Sequence, residues 1–182
     1  EVLTIEDLRS RIDVIDEQMR ESGSPNLVDL VGLDHLTGLL GGVLASGVVK
    51  ASPGLYVQNS PRQHPVLLPL QHGLPEMVVK TAHETDRPVA GPDVAGIYLV
   101  FRYVLVDRKG HFTRGESARG DMVAVWEARF GELAEADFIP HRGGKGPRLR
   151  KDALERMELV YYDPALLPYA KATGDYARLK RR

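Results

Sequence analysis

The chain has 182 residues, 43% hydrophobic and 27% charged, an ordinary globular composition that suits one domain, or one domain with an appendage. It contains no cysteine, which excludes disulfides, thiolate catalysis and cysteine-ligated zinc and favours a reducing compartment such as the cytoplasm. The net charge of −1 conceals an asymmetry: residues 1–50 carry four basic and nine acidic side chains, a balance of −5, whereas residues 141–182 carry eleven basic and five acidic, a balance of +6.

The start, EVLTIEDLRSR, is acidic and amphipathic, unlike a signal peptide. Spacing predicts a helix over 4–21, with Thr4 as cap and Gly23 as stop. Ile5, Leu8, Ile12, Ile15 and Met19 recur at intervals of 3, 4, 3 and 4, a narrow apolar seam suited to packing along another helix. Two heptads are too short for a free coiled coil, so the seam is expected to dock on a neighbouring subunit or on its own domain. Asn26 to Leu33 reads as a short helix. Asp34 caps a second, with Leu36, Leu39, Leu40, Val43 and Leu44 on one face and Gly47 as its end.

VVKASPGLYV (48–57) reads as a hairpin turned at Ser52-Pro53-Gly54. VLLPL (66–70) is a short strand, and Pro75 to about His83 a helix. Ile97–Val106 is a long strand, turned at Asp107-Arg108-Lys109-Gly110 into a return strand at His111–Thr113. Asp121 opens a helix in which Met122, Val125, Trp126, Phe130 and Leu133 fall at helical spacing, although a strand fits too. HRGGKGPRLRK (141–151) is a basic glycine loop running into a helix opened by Pro147, and MELVYYD (157–163) is a strand. The expected fold is α+β: an N-terminal helical segment, 1–46, then a mainly antiparallel sheet with one or two packed helices over 47–182, the two parts forming separate units or one continuous domain.

Three short stretches resemble known proteins. TIEDLRSRIDVIDEQM is similar, over about sixteen residues, to the first helix of the all-helical chorismate mutases, with Arg9 in the place of a substrate-binding arginine. SGSPN and a glycine-rich apolar segment then replace the long basic helices of that family, so no activity is carried over. Three helices and a hairpin resemble the outline of a winged helix-turn-helix. The recognition segment would be DHLTGLLGGVLAS, which offers only His35, Thr37 and Ser46 and no Lys or Arg for phosphates and base edges. Its apolar face and Gly38, Gly41 and Gly42 suit a buried helix that another backbone approaches closely.

The third is GPDVAGIYLVFRYVLVDRKG, whose Asp93, Asp107 and Lys109 resemble the PD…(D/E)xK pattern of Mg-dependent DNA nucleases. In that family the acidic residues sit on neighbouring strands, yet nothing after Gly96 turns the chain. If Ile97–Val106 is one strand, fourteen residues at about 3.3 Å hold the carboxylates ~45 Å apart. Only a sharp bulge near Phe101-Arg102 would rescue the motif.

Other constellations are sparser. His64, His72 and His83 lie near Glu76, and His111 can pair with Asp107 or Glu116, but no metal-binding histidine spacing is present and no cofactor is expected beyond Mg²⁺ in the nuclease alternative. The most usable feature is charge. Arg142, Lys145, Arg148, Arg150 and Lys151 form one basic cluster, and Arg178, Lys180, Arg181 and Arg182 another beside Tyr176. Such clusters neutralise phosphates, and aromatics beside them stack on bases. The sequence therefore leans away from an enzyme. It points to an assembly subunit that docks through its N-terminal helix and contacts nucleic acid or an acidic protein face with its basic C-terminal region. The alternatives are the nuclease and a small-molecule enzyme with a pocket around His72, His83 and His111.

Overall fold

The computed structural model describes residues 14–60, 63–89, 95–112, 120–140 and 146–168. Within the described residues, helix α1 covers 14–21 and ends at Gly23, whose φ of 73° only glycine adopts without strain. Asp16, almost fully buried, accepts the Leu27 backbone N–H at 3.2 Å and so ties α1 to the start of the next helix. That helix, α2, runs Leu27–Ala51 and is broken at Gly32, which sits at φ 66°, ψ 161°. The break separates the two helices anticipated from the sequence. Beyond it, Leu36, Leu40 and Leu44 follow one another at four-residue steps and are buried to 1% exposure or less.

Gly47 does not end the helix, because Val48 is still needed in the core, so α2 continues to Ala51 and Ser52 closes it by donating its Oγ hydrogen to the Val48 carbonyl at 2.6 Å. The expected hairpin at 48–57 is therefore absent. Strand β1 (Tyr56–Gln58) pairs instead with β2 (Leu67–Pro69).

Strands β3 (Met77–His83), β4 (Gly96–Val106), β5 (Met122–Leu133) and β8 (Glu158–Tyr162) complete a six-stranded sheet in the order β1-β2-β3-β4-β5-β8. The β3–β4 pair is parallel and the other four pairs are antiparallel. The fold is thus α+β with a mainly antiparallel sheet behind N-terminal helices. Short β6 (Phe138–Ile139) and β7 (Arg148–Leu149) form a separate ribbon, and α3 spans Lys151–Arg156.

Two expected helices are strands. Residues 77–83 and 122–133 lie in a sheet covered on both faces, so apolar residues occupy both sides and the alternation that marks a half-exposed strand is lost. In β5 the register also slips: Arg102 faces Glu127 while Tyr103 faces Val125, which leaves Trp126 as the extra residue of a bulge. The slip re-phases the strand and creates the three- and four-residue spacings that imitate a helix. The expected return strand at His111–Thr113 is not the partner of β4; β5 is. The basic loop leads into β7, and α3 begins only at Lys151.

The sheet has two buried faces. On one, α2 packs Leu44, Ala45 and Val48 against Val79, Phe101 and Val125, and Leu36 and Leu40 against Tyr103, Leu105 and Val123. This joins the helical segment to the sheet across the 46/47 boundary. On the other, Val78, Tyr98, Val100 and Leu149 pack with Leu154 and Met157 around α3, while Val104 and Trp126 pack with Leu166 and Leu167. Between those two clusters lies a buried charge network. Arg102 grips Glu127 with two hydrogen bonds, Nε to Oε1 at 3.1 Å and Nη2 to Oε2 at 2.6 Å, and Arg129 Nε donates to the same Oε1 at 2.7 Å. The Arg102 guanidinium also lies 4.2 Å from the centre of the Trp126 ring.

Candidate functional site

The chemistry-bearing residues converge on the outer edge of β3. Strand β2 meets β3 only at Leu67↔Met77, so beyond Met77 no described strand covers that edge. A cleft of about 770 Å³ runs along it, within the range of ligand sites. Its floor is Val79–His83, one wall is α2, and the far wall is Asp86–Val89 with Arg148.

The α2 wall is shallow because it is built from Gly38, Gly41 and Gly42. A Cβ at Gly38 or Gly42 would meet nothing within 4 Å, and one at Gly41 would lie 3.9 Å from Thr81 Oγ1. The glycines therefore leave the cleft its width. Thr81 fastens the wall to the floor by donating its hydroxyl to the Thr37 carbonyl, and the Thr37 hydroxyl hydrogen-bonds Tyr103 Oη at 2.9 Å. The far wall is fixed by backbone contacts: Val89 bridges Arg148, and Leu149 N–H donates to Pro88 at 3.0 Å.

Three basic side chains line this space, Lys80, Arg87 and Arg148, against one carboxylate, Asp86, with His64 and His83 adding charge when protonated. Among the described residues, none of the three cations has an ion-pair partner. Arg148 Nε is buried and has no hydrogen-bond acceptor among the described residues. A buried donor left unmatched is costly. Burial pushes the Lys80 ammonium below the ordinary lysine value. The His83 ring packs 5.3 Å from the Tyr103 ring, centre to centre, with Glu84 Oε1 3.7 Å from its Nε2.

Of the sequence-predicted basic cluster, Arg148 reaches the cleft. Arg150 pairs with Asp152 at 3.1 Å and Lys151 with Glu155 at 3.8 Å, both at the surface. Arg142, Lys145, Arg178, Lys180, Arg181 and Arg182 lie outside the described residues. In the apolar seam, Ile15 and Met19 are half-buried against the α2–sheet core of this chain, and Ile5, Leu8 and Ile12 lie outside the described residues. The anticipated histidine grouping is not the one formed: His83 joins His64 in the cleft, while His72 and His111 line no part of it.

Asp107 and Lys109 sit in the exposed turn after β4. Asp107 Oδ1 accepts the backbone N–H groups of Lys109 and His111 at 2.9 and 2.8 Å, and its Oδ2 lies 3.4 Å from His111 Nδ1. The His111 backbone hydrogen bond is the main cause holding the Asp107 carboxyl below its ordinary value. Asp93 and Glu116 lie outside the described residues. The register does slip at Arg102/Tyr103, yet the extra residue is in β5 and β4 runs on without reversal. Eleven residues from Gly96 to Asp107 at about 3.3 Å each cover ~36 Å, so the described strand holds its two ends well apart.

Sequence reasoning passed over Lys80 and Arg87. The stretch 75–83 was read as a helix, and the signal against that was the run of β-branched residues in VVKT. The glycines of α2 were expected to admit a close backbone approach, but a Cβ at Gly38 or Gly42 would meet nothing within 4 Å, and the strand edge they face became visible only with the sheet order. No protein-family model, no curated protein and no solved structure matches this chain.

Proposed function

We propose that the cleft along β3 is a binding site for a phosphate-bearing ligand, and that a nucleic-acid strand is its source. The observation that carries this reading is a cleft lined by Lys80, Arg87 and Arg148, none of which has a described carboxylate partner. Cations held this way gain by displacing the counterions of a polyphosphate chain. The basic segment identified in the sequence supplies Arg148, so the cleft and the charge asymmetry support the same reading.

The test is fluorescence anisotropy with a short single-stranded oligonucleotide. Three phosphate contacts give a salt slope of about −2, so affinity should fall roughly 16-fold between about 50 and 200 mM salt. Arg148→Ala should weaken binding and make that slope shallower by ~0.7, and Arg148→Lys should restore part of it. A mononucleotide that competes as well as the strand would make the source a small phosphate ester. Binding that ignores both salt and Arg148→Ala overturns the proposal.

A further inference from the structure

The cleft contains a group that phosphate binding alone does not require. Lys80 lies on the uncovered part of β3, half-buried, and lines the same cleft as Arg87 and Arg148. A lysine kept for solubility lies in water, and one kept for structure sits on a carboxylate; Lys80 does neither among the described residues. We propose that Lys80 is an amine nucleophile that forms an imine with an aldehyde-bearing phosphate ligand held in this cleft. The inference rests on the phosphate-binding reading above, and it deepens that reading by naming the ligand's reactive group.

The division of labour follows from the residues. Arg87 and Arg148 carry charge that no pH near neutrality removes, so they suit the phosphate. Lys80 is the one of the three that can give up its proton, and burial favours the neutral amine that attacks carbonyl carbon. The neutral Nζ forms the C–N bond as the carbonyl π pair moves to oxygen. A proton passes from nitrogen to that oxygen, and water leaves as the C=N bond forms. Water in the open cleft protonates the departing hydroxyl and takes up the proton that the iminium nitrogen gives back. Water adds back to release the aldehyde, so the cycle needs no oxidant, reductant or metal.

Two sources share this chemistry: a small phosphorylated aldehyde, and a nucleic-acid strand with an abasic sugar, which opens to an aldehyde beside phosphates. Two probes separate them. The first is pyridoxal 5′-phosphate, followed by borohydride reduction and peptide mass mapping; the second is an oligonucleotide carrying one abasic site, trapped in the same way. The expected result is a single dominant adduct at Lys80 with at least one probe. Lys80→Arg should abolish it while keeping the charge, and Arg148→Ala should weaken it about tenfold or more. Pyridoxal without its phosphate should label about tenfold less.

Labelling by both probes spread evenly over exposed Lys50, Lys109 and Lys151, with no preference for Lys80, overturns the inference. Because the map is read on the unsubstituted protein, a poorly folding variant does not obscure it. If the oligonucleotide still binds in an Arg148-dependent way but Lys80 is not trapped, the imine fails and phosphate binding stands. If Arg148 has no influence on either probe, phosphate binding fails.

Discussion

Removing the Glu127 side chain should destabilise the fold severely, and the reason is electrostatic. Arg102, Glu127 and Arg129 are 2%, 0% and 1% exposed, so water screens none of them. Glu127→Ala leaves two guanidinium groups buried without the carboxylate that holds both. Breaking a buried ion pair from one side costs about 3–5 kcal/mol. Here the lower part of that range applies, because Arg129 still donates Nη1 to the Met157 carbonyl at 3.0 Å and Arg102 still faces the Trp126 ring. A loss of about 3 kcal/mol in a chain of this size lowers the melting temperature by roughly 6–12 °C. Far-UV circular dichroism on heating, with a urea titration to give the free energy directly, measures both. Replacing all three residues together, as Arg102→Met, Glu127→Leu and Arg129→Met, should recover most of the loss, since no charge is then left unmatched. A Glu127→Ala variant within about 1 kcal/mol of the parent would refute the reasoning, because it would mean that the guanidinium groups are satisfied without the carboxylate.

Gly120→Ala should fail to fold or lose roughly 3 kcal/mol or more: its Cβ would stand 2.0 Å from both the carbonyl carbon and the oxygen of Val106, backbone that no rotamer change can move. Gly42→Ala, whose Cβ meets nothing, is the control and should melt at or slightly above the parent temperature. Asp107 contributes stability that is present above its ordinary pKa and is lost as pH falls through its lower folded-state value. Asp107→Asn should therefore differ most from the parent near neutral pH and converge with it in acid, as read from urea midpoints across that range.

The elements most legible in the sequence were those whose local signals and burial agree. Strand β4 declares itself because a run of β-forming residues lies between turn residues, and the expected turn at Asp107 forms, with Asp107 Oδ1 accepting the Lys109 and His111 backbone N–H groups. The division into two helices was legible because Asp34 offers a cap for the second, although the non-helical backbone lies at Gly32, which the sequence reading did not use. Strands β3 and β5 were hidden. Both are covered on two faces, and in β5 the Trp126 bulge shifts the phase of the alternation midway. The site depends on these hidden elements. Lys80 and Arg87 sit on and just after β3, and they meet Arg148 only because β7 is bridged to Val89. Those contacts span some sixty residues of chain, a distance that no local pattern encodes. The basic cluster includes Arg148, which lines the cleft. It could not say that Arg150 and Lys151 are neutralised at the surface while Arg148 turns inward.

The Trp126 bulge has a practical consequence. Trp126 is the chain's one tryptophan, fully buried against a guanidinium and donating its indole N–H to the Glu84 carbonyl at 3.2 Å. Its fluorescence therefore samples a single place, where the sheet's register slips, the charged core begins and the chain leaves β3. Emission should move to longer wavelength when that place opens to water. If this shift coincides with the loss of sheet ellipticity, the buried charges and the sheet unfold as one cooperative unit. If it comes earlier, the fluorophore marks a locally weaker region beside the cleft, and anything bound along β3 would delay its opening.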